Sequence, residues 1–349
     1  MYILGIESSC DECAAAVVGD GRKVDSNIIA SQVEQHKLYD GVVPEIAARL
    51  HCEWIQKICA QALEEAGRSL EDIDAIAVTR QPGMIGALLV GLSFAKGLAW
   101  AAGKPLIGVD HVLAHLYVPH LLEREEAENG LYPYIGLLVS GGHTMICVVR
   151  AYNDVEVLGA SIDDACGEAF DKVAKHYGLG YPGGAVIDRM AKSGDDSAYV
   201  FPRPKIKNSR RDLDVSFSGL KTAAIWQHRQ FLQAGKPDRL EDLLASYQKA
   251  IVQMLLDRTT EAVRRTGIRR VAIGGGVAAN SYLRSQLETF DWEVFSPSLE
   301  YCTDNAVMVA AIAYEYAGEG NFASWDCAAS SRVESFRSLP RQRRRTGMG

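Results

Sequence analysis

The chain has 349 residues, of which 48% are hydrophobic and 23% are charged, and its formal net charge is −7. This composition is that of an ordinary globular protein and excludes a disordered, collagen-like or small disulfide-stapled chain. The length predicts two domains. The acidic balance predicts no attraction of the whole molecule to nucleic acid or anionic lipid, so a polyanionic partner would need a local basic patch.

Eight cysteines are scattered along the chain, and the N-terminal run MYILGIESS is typical of a strand and not of a signal peptide. We therefore expect reduced thiols and a cytoplasmic protein. Cys10 and Cys13 form one CxxC, but a four-cysteine zinc site needs a second pair. We interpret this CxxC as incidental, with a redox or metal role as the alternative.

Two segments share one design. Residues 2–18 and residues 134–149 each run from an apolar strand through a small-polar turn into a second apolar strand. This repetition predicts two lobes built on one plan, and the helical patterns around the hairpins predict mixed α/β architecture. The remaining predicted elements, in chain order, are a helix over 44–67, a strand over 74–80, a helix over 83–103, a strand over 105–110, a helix containing His111 and His115, a helix over 163–179, an element starting at 181, a long helix over 241–267, a strand and glycine loop over 269–280, and a helix at 302–318 with Thr303 as its N-cap.

The run from residue 83 to residue 103 is apolar enough to imitate a membrane span, but Lys96 interrupts it near the middle. A lysine is costly at mid-depth of a bilayer. We therefore predict a helix buried between neighbours and no membrane association.

His111 and His115 are four residues apart, so on a helix both imidazoles lie on one face and can reach one metal ion. Two histidines satisfied by backbone or water are the alternative. A zinc protease would place a glutamate at position 112 as its general base, and Val112 cannot accept a proton. A third ligand must come from elsewhere, and Asp304 is a candidate, although an aspartate there could simply stabilise a helix N-terminus.

Two glycine-rich loops follow predicted strands, SGGHT at 140–144 and GGGVAAN at 274–280. Glycines let backbone N–H groups approach phosphate oxygens closely, so the pair of loops indicates a nucleotide site. Neither loop has the sequence of a P-loop or of a dinucleotide-binding fold.

Carboxylates are concentrated at two further places. Asp164, Glu168 and Asp171 have spacings that put them on one helix face, which indicates a site, whereas a Glu168–Lys172 pair on a solvated face is the alternative. Glu7, Asp11 and Glu12 crowd the first hairpin turn, where a carboxylate can act as a base or hold a metal through water. The segment 203–211 carries five basic residues and is a candidate nucleic-acid patch, with a solvated loop as the alternative.

The motifs GIESSCDE, PEIAAR, GALLVGLSFAKGLA, HxxxH, LVSGGHT, DDACGEAFDKVAK, YPGG, FSGLKT, GGGVAAN and CTDN occur in this order over nearly the whole chain. Together they resemble the TsaD family of tRNA N6-adenosine threonylcarbamoyltransferases. The resemblance implies the two-lobed actin-like ATPase fold, with a ligand cleft between duplicated α/β lobes. We place the N-terminal lobe at 1–131, the C-terminal lobe at 132–325 and a basic, flexible tail at 326–349.

The resemblance also implies the reaction and its participants. A threonylcarbamoyl group passes from threonylcarbamoyl-AMP to N6 of adenosine 37 in tRNAs that read codons beginning with A, and AMP is released. The implied partners are tRNA, a shorter TsaB-like paralogue that pairs through N-lobe helices, and a TsaE-like P-loop ATPase. The implied cofactor is one divalent metal, Fe²⁺ with Zn²⁺ as the alternative. An ATP-dependent phosphotransferase and a nucleotide-switched binding module on the same fold are the competing functions.

The family's site positions carry over residue by residue. Asp11 and Glu12 correspond to positions held to be important for catalysis, and Asp11 is our candidate for the base that deprotonates the attacking amine. The metal-ligand positions are His111, His115 and Asp304. The substrate-binding positions are Leu138, Val139, Ser140, Gly141, Gly142, Asp171, Gly184, Asp188 and Asn280. The chain departs from the family pattern at Cys13, Asp110 and Ala306, none of which is an implied ligand.

Overall fold

The computed structural model describes residues 1–39, 41–121, 131–203, 206, 211–233 and 239–332. Its described part contains two five-stranded sheets with helices around them. The elements of the first half are β1 (Tyr2–Glu7), β2 (Glu12–Gly19), β3 (Lys23–Ser31), α1 (Val33–His36), α2 (Pro44–Glu65), β4 (Ala75–Gln81), α3 (Ile85–Ala102), β5 (Leu106–Asp110) and α4 (His111–Tyr117). Those of the second half are β6 (Tyr134–Val139), β7 (Thr144–Ala151), β8 (Asp154–Ala160), α5 (Cys166–His176), α6 (Gly183–Ala191), α7 (Ser218–Gln233), α8 (Leu240–Thr266), β9 (Arg270–Gly274), α9 (Ser281–Leu287), β10 (Glu293–Phe295) and α10 (Ala306–Gly318).

The two sheets have the same topology. The first has the order β3-β2-β1-β4-β5, and the second, read in the corresponding direction, has the order β8-β7-β6-β9-β10. In each sheet the first strand pairs antiparallel with its hairpin partner and parallel with a later strand, β4 or β9. The prediction of two related α/β lobes is therefore confirmed, because both hairpins occupy equivalent positions.

Local sequence signals explain where several helices begin and end. Pro44 occupies the first turn of α2, where its missing N–H costs nothing. Gly103 ends α3 and Gly267 ends α8, both in the left-handed conformation that glycine adopts without strain.

The prediction that the apolar helix α3 is buried between neighbours is wrong for one of its faces. One side packs on α2 and β4, but Ile85, Leu89 and Trp100 on the other side are 48%, 49% and 72% exposed. It is the one helix among the described residues that is long and apolar enough to cross a bilayer. Lys96 donates to the carbonyl of Cys327, so the residues after α10 fold back onto this helix.

The prediction that residues up to 325 lie in the second lobe fails for α10. This helix packs against β1, β2, β4 and β5 of the first sheet, because its apolar residues belong to the same core cluster as Ile3 and Val109. Thr303 is not its N-cap either. Asn305 caps the helix by accepting a hydrogen bond from the Met308 N–H.

Other predicted features lie largely outside the described residues. Of the basic segment 203–211, the structure describes Arg203, Ile206 and Arg211, and of the tail it describes residues 326–332. Cys10 and Cys13 are both free thiols, and Cys13 is buried in β2.

Candidate functional site

His111, His115 and Asp304 lie together between the lobes. Their ligating atoms all lie within 4.8 Å of one another. The Nε2 atoms of His111 and His115 are 3.5 Å and 3.0 Å from Asp304 Oδ1. Ligand atoms around one metal ion are roughly 3–3.5 Å apart when metal–ligand distances are about 2.0–2.2 Å. The three residues therefore have the spacing of a metal site, although 189 positions separate His115 from Asp304.

The placement of this cluster follows from two short elements. α4 begins directly after β5, and Asp110 caps it by accepting from the Val112 and Leu113 N–H groups. The helix packs against β5 and α10 of the first lobe and against β6 and β9 of the second. Asp304 immediately precedes the N-cap of α10, which itself contacts α4. The histidines thus lie where the two sheets approach each other.

Burial and neighbouring charge govern protonation in the cluster. Burial alone would lower the pKa of His111, but Asp304 and Glu7 outweigh it and raise the pKa to about 9. Burial and the adjacent His111 lower the pKa of His115. Burial alone would raise the pKa of Asp304, yet the two histidines hold it below its usual value. One buried imidazolium therefore compensates the carboxylates, a role that a cation could take over.

Both glycine loops lie next to this cluster. A methyl group on Gly274 would lie 2.7 Å from the carbonyl oxygen of His115, and one on Gly275 would lie 2.5 Å from that of Val139. The ring of His143, in the first loop, is centred 6.4 Å from the ring of His111. The structure therefore brings both predicted loops and the predicted metal ligands to one place.

The remaining residues of the first loop are oriented in different ways. Leu138 and Val139 are fully buried in β6, so a ligand can meet only their backbone. Ser140 accepts from the His143 N–H and closes the turn, while Gly141 and Gly142 are exposed.

The other predicted substrate-binding residues form two contacts in the second lobe. Asp171 accepts from the Gly183 N–H at 2.7 Å, next to Gly184, and burial raises its pKa. Asp188 accepts from Ser281. Ser281 follows Asn280, which accepts from the Leu283 N–H as the N-cap of α9 and donates to Gln248.

Asp11 and Glu12 lie at the tip of the first hairpin. The Asp11 side chain is only 5% exposed, and its charge reaches Asp171 and Tyr181 of the second lobe, where it contributes to their raised pKa values. Burial, followed by the charge of Asp11, raises the pKa of Glu12 well above its usual value. This tip therefore faces the second lobe with a Glu12 carboxyl group whose neutral form is favoured.

The predicted cluster of Asp164, Glu168 and Asp171 forms only in part: Glu168 and Asp171 lie on α5, where burial and, to a smaller extent, the charge of Glu168 raise the pKa of Asp171. α5 begins at Cys166, so Asp164 lies outside the helix and binds Lys172 and Lys221 at 2.6 Å and 2.9 Å. Glu168 pairs with Lys172 at 2.7 Å, as the alternative interpretation holds. Lys172 bridges Asp164 and Glu168, and its positive charge offsets the repulsion between the two carboxylates.

Sequence reasoning missed four residues at this site. His143 was present only as part of a glycine motif, and Tyr181 only as part of YPGG. Ser9 and Thr79 contact Glu7, which in turn contacts His111. The contacts of Glu7 with Thr79 and His111 span 72 and 104 positions, and no spacing rule signals them.

Comparison with solved structures shows the class of fold. A crystal structure of full-length HypF aligns with a TM-score of 0.59 at 16% identity, over 92% of this chain and 56% of HypF. The activator of the 2-hydroxyisocaproyl-CoA dehydratase from Clostridium difficile aligns with a TM-score of 0.52 at 16% identity, over 92% of this chain and 97% of the activator. The chain has the actin-like ATPase fold, as predicted.

Sequence comparison gives the family. The TsaD family profile, described as tRNA N6-adenosine threonylcarbamoyltransferase, matches residues 23–311. The relative of that name from Treponema denticola is 54% identical over 98% of this chain and 100% of its own length. Those from Borreliella burgdorferi and Brachyspira hyodysenteriae are each 45% identical, over 97% and 95% of this chain and 96% of their own lengths.

The chain belongs to the TsaD family. It is a transferase that modifies tRNA, placing a threonylcarbamoyl group on N6 of adenosine 37. Membership supports this prediction over the phosphotransferase and the nucleotide-switched module.

Proposed function

We propose that the cleft between the lobes holds threonylcarbamoyl-AMP beside one divalent metal ion, and that transfer to adenosine occurs there. The observation that carries the proposal is the convergence of His111, His115 and Asp304 with both glycine loops. The adenylate has a phosphate, which suits glycine-rich backbone, and a reacting carbonyl, which suits a nearby cation.

The donor set fits a metal. Two imidazoles and one carboxylate with open positions suit Fe²⁺ and also Zn²⁺. We propose that His111, His115 and Asp304 hold one such ion, Fe²⁺ in preference. When bound, the ion supplies Lewis-acid polarisation and orientation of the substrate.

The chain's own residues perform the remaining tasks. We assign Gly141, Gly142 and the loop at 274–280 to the phosphate, and Asp171, Gly184, Asp188 and Asn280 to the nucleoside. Leu138, Val139 and Ser140 set the course of the first loop. Asp11 is the proposed base for the N6 amine. Burial raises the pKa of Glu12, and its protonated carboxyl group is proposed to donate a hydrogen bond to Asp11.

A reconstituted transfer reaction tests the proposal. The protein is mixed with threonine, bicarbonate, ATP, the adenylate-forming protein, the partner proteins and a tRNA transcript, and the nucleosides are analysed by mass spectrometry. We expect modified adenosine from a transcript with A37 and none from a matched transcript with G37. Transfer that is unaffected by both Asp304→Ala and Asp11→Asn would contradict the site assignment.

The exposed face of α3 is the proposed docking site for a TsaB-like paralogue, with a TsaE-like P-loop ATPase as a further partner. Ile85, Leu89 and Trp100 are apolar and about half or more exposed there, and such a patch typically marks an interface. Leu89→Glu should abolish co-elution with the paralogue. Val200→Glu, at an 83% exposed apolar position of the second lobe, is the matched control and should leave co-elution intact.

For tRNA we propose the basic segment 203–211 as a local contact, in a cytoplasmic protein. Because the net charge is −7, binding must concentrate on such a patch. Neutralising Arg203 and Arg211 should weaken tRNA binding and reduce its dependence on salt by about two phosphate contacts. An unchanged salt slope would refute this contact.

A further inference from the structure

Glu7, the last residue of β1, is completely buried beside the proposed metal site. Its Oε1 accepts a hydrogen bond from the Ser9 N–H at 2.6 Å. Its Oε2 accepts from the Thr79 hydroxyl at 2.6 Å and lies 3.1 Å from Nδ1 of His111. The Ser9 hydroxyl lies 3.2 Å from the same Nδ1, but a hydroxyl can donate or accept and therefore does not by itself fix the tautomer. Both oxygens are therefore occupied, and the carboxylate is held from three directions.

The topology of the first sheet brings these groups together. β4 lies between β1 and β5, and all three strands run parallel. Glu7 ends β1, Thr79 is near the end of β4, and His111 directly follows β5. Because the carboxyl ends of parallel strands meet at one edge of a sheet, the three side chains converge there.

We propose that Glu7 is a positioning residue that fixes the ring of His111 for metal binding. A neutral imidazole carries one N–H, and the hydrogen bond made by one nitrogen decides which nitrogen is free to bind a metal. Glu7 is acceptor-only, so it keeps the proton on Nδ1. The lone pair of Nε2 then faces His115 and Asp304. This inference rests on the proposed metal site.

The charge balance supports this assignment. Asp304, Glu7 and Asp110 place negative charge around His111, and a divalent cation bound there would compensate two of these carboxylates. The second histidine has no equivalent support within the described part of the chain, since the Nδ1 of His115 is buried there without a hydrogen-bond partner. Among these contacts, Glu7 provides the one acceptor-only partner of an Nδ1 atom of the pair.

The same contacts separate Glu7 from the acid–base step. A general base must reach the proton that it removes, but Glu7 has no exposed surface and no unoccupied oxygen. It also accepts from Ser9, two residues before Asp11. Glu7 thus contacts both His111 and the start of the hairpin turn that carries Asp11.

Glu7→Gln tests the inference, because glutamine has the same size but presents an N–H₂ group. With its oxygen accepting from Ser9, its nitrogen faces His111 and favours the tautomer with the proton on Nε2. We expect the affinity of the full chain for Zn²⁺, measured by calorimetry, to fall 10–100-fold. Asp214→Asn is the matched control, since Asp214 is a buried carboxylate of the second lobe that accepts from Ala160, and its Zn²⁺ affinity should equal that of the wild type.

A second readout reports the tautomer itself. Nitrogen-15 NMR of the zinc-loaded wild type should show His111 protonated at Nδ1, and the glutamine variant should lose this signature. If the wild type binds no metal, the proposed metal site fails. If the wild type binds Zn²⁺ and the variant matches it in affinity and in ring signals, the positioning role is overturned.

Thr79→Val keeps the test decisive if the glutamine variant does not fold. It removes only the hydroxyl that holds Oε2 of Glu7. We expect a smaller, severalfold loss of Zn²⁺ affinity with His111 still protonated at Nδ1. In that situation an unchanged affinity would overturn the inference.

Discussion

Replacing Gly275 with alanine tests whether the two glycine loops depend on close packing against each other. Gly275 has φ +88° and ψ 163°, a conformation that is essentially restricted to glycine. A methyl group there would lie 2.5 Å from the carbonyl oxygen of Val139 and 3.0 Å from Cβ of Ser140. The obstacle is backbone, so it cannot move aside as a flexible side chain would.

Two costs add in this variant. The disfavoured backbone conformation costs about 1–3 kcal/mol, and overpacking costs about 1–3 kcal/mol more. The sum is about 2–6 kcal/mol, so we expect Gly275→Ala to lower the free energy of unfolding by about 4 kcal/mol. For a chain of this length that corresponds to a fall of roughly 5 °C in Tm.

Gly276→Ala is the matched control, one position along the chain. Among the described residues, no atom outside its chain neighbours lies within 4 Å of a methyl group at Gly276, and its φ is not positive. We expect a change within about 1 kcal/mol. Circular dichroism melts measure both variants, and Gly275→Ala alone should lose stability. Equal melting temperatures for the two variants would refute the packing argument.

Three further variants and measurements have definite expected outcomes. Asn305→Ala should lower the free energy of unfolding by about 1–2 kcal/mol, because Asn305 caps α10. Thr303 is exposed, and Thr303→Ala should change it by less than about 0.5 kcal/mol; urea unfolding measures both variants. Burial lowers the pKa of His120 to about 4, so the folded state resists its protonation and stability falls as the pH drops from about 6.5 towards 4. His120→Phe should reduce the loss of stability between pH 7 and pH 5 by about 2 kcal/mol, and an equal loss in both proteins would contradict this. Because the pKa of His111 is raised to about 9, Zn²⁺ binding at pH 7 should release about one proton, which calorimetry in two buffers of different ionisation enthalpy detects.

Part of the candidate site can be predicted from the spacing of residues that are close in sequence. The four-residue interval between His111 and His115 places both rings on one face of α4, because a helix repeats every 3.6 residues. Each glycine loop likewise follows a strand, as the apolar runs before SGGHT and GGGVAAN predict. These are properties of neighbours in sequence, which backbone geometry alone determines.

Errors arise where other segments decide the outcome. The apolar residues of α3 predict burial, yet hydrophobicity cannot show that only one side of the helix has neighbours. The spacing of Asp164, Glu168 and Asp171 predicts one face, but α5 begins only at Cys166, and Asp164 pairs with Lys172 and with Lys221 of a different helix. The apolar character of α10 gives no indication that it packs on the first sheet.

The sequence by itself determines the α/β class, the duplicated hairpins, most helices and the TsaD family, because these depend on periodicity and on motifs within short segments. Only the tertiary structure places Asp304 beside His115 and Glu7 beside His111. Those contacts join residues 189 and 104 positions apart. They exist because parallel strands end at a common edge and because α10 returns to the first sheet, and neither relation is encoded in the spacing of the residues that meet.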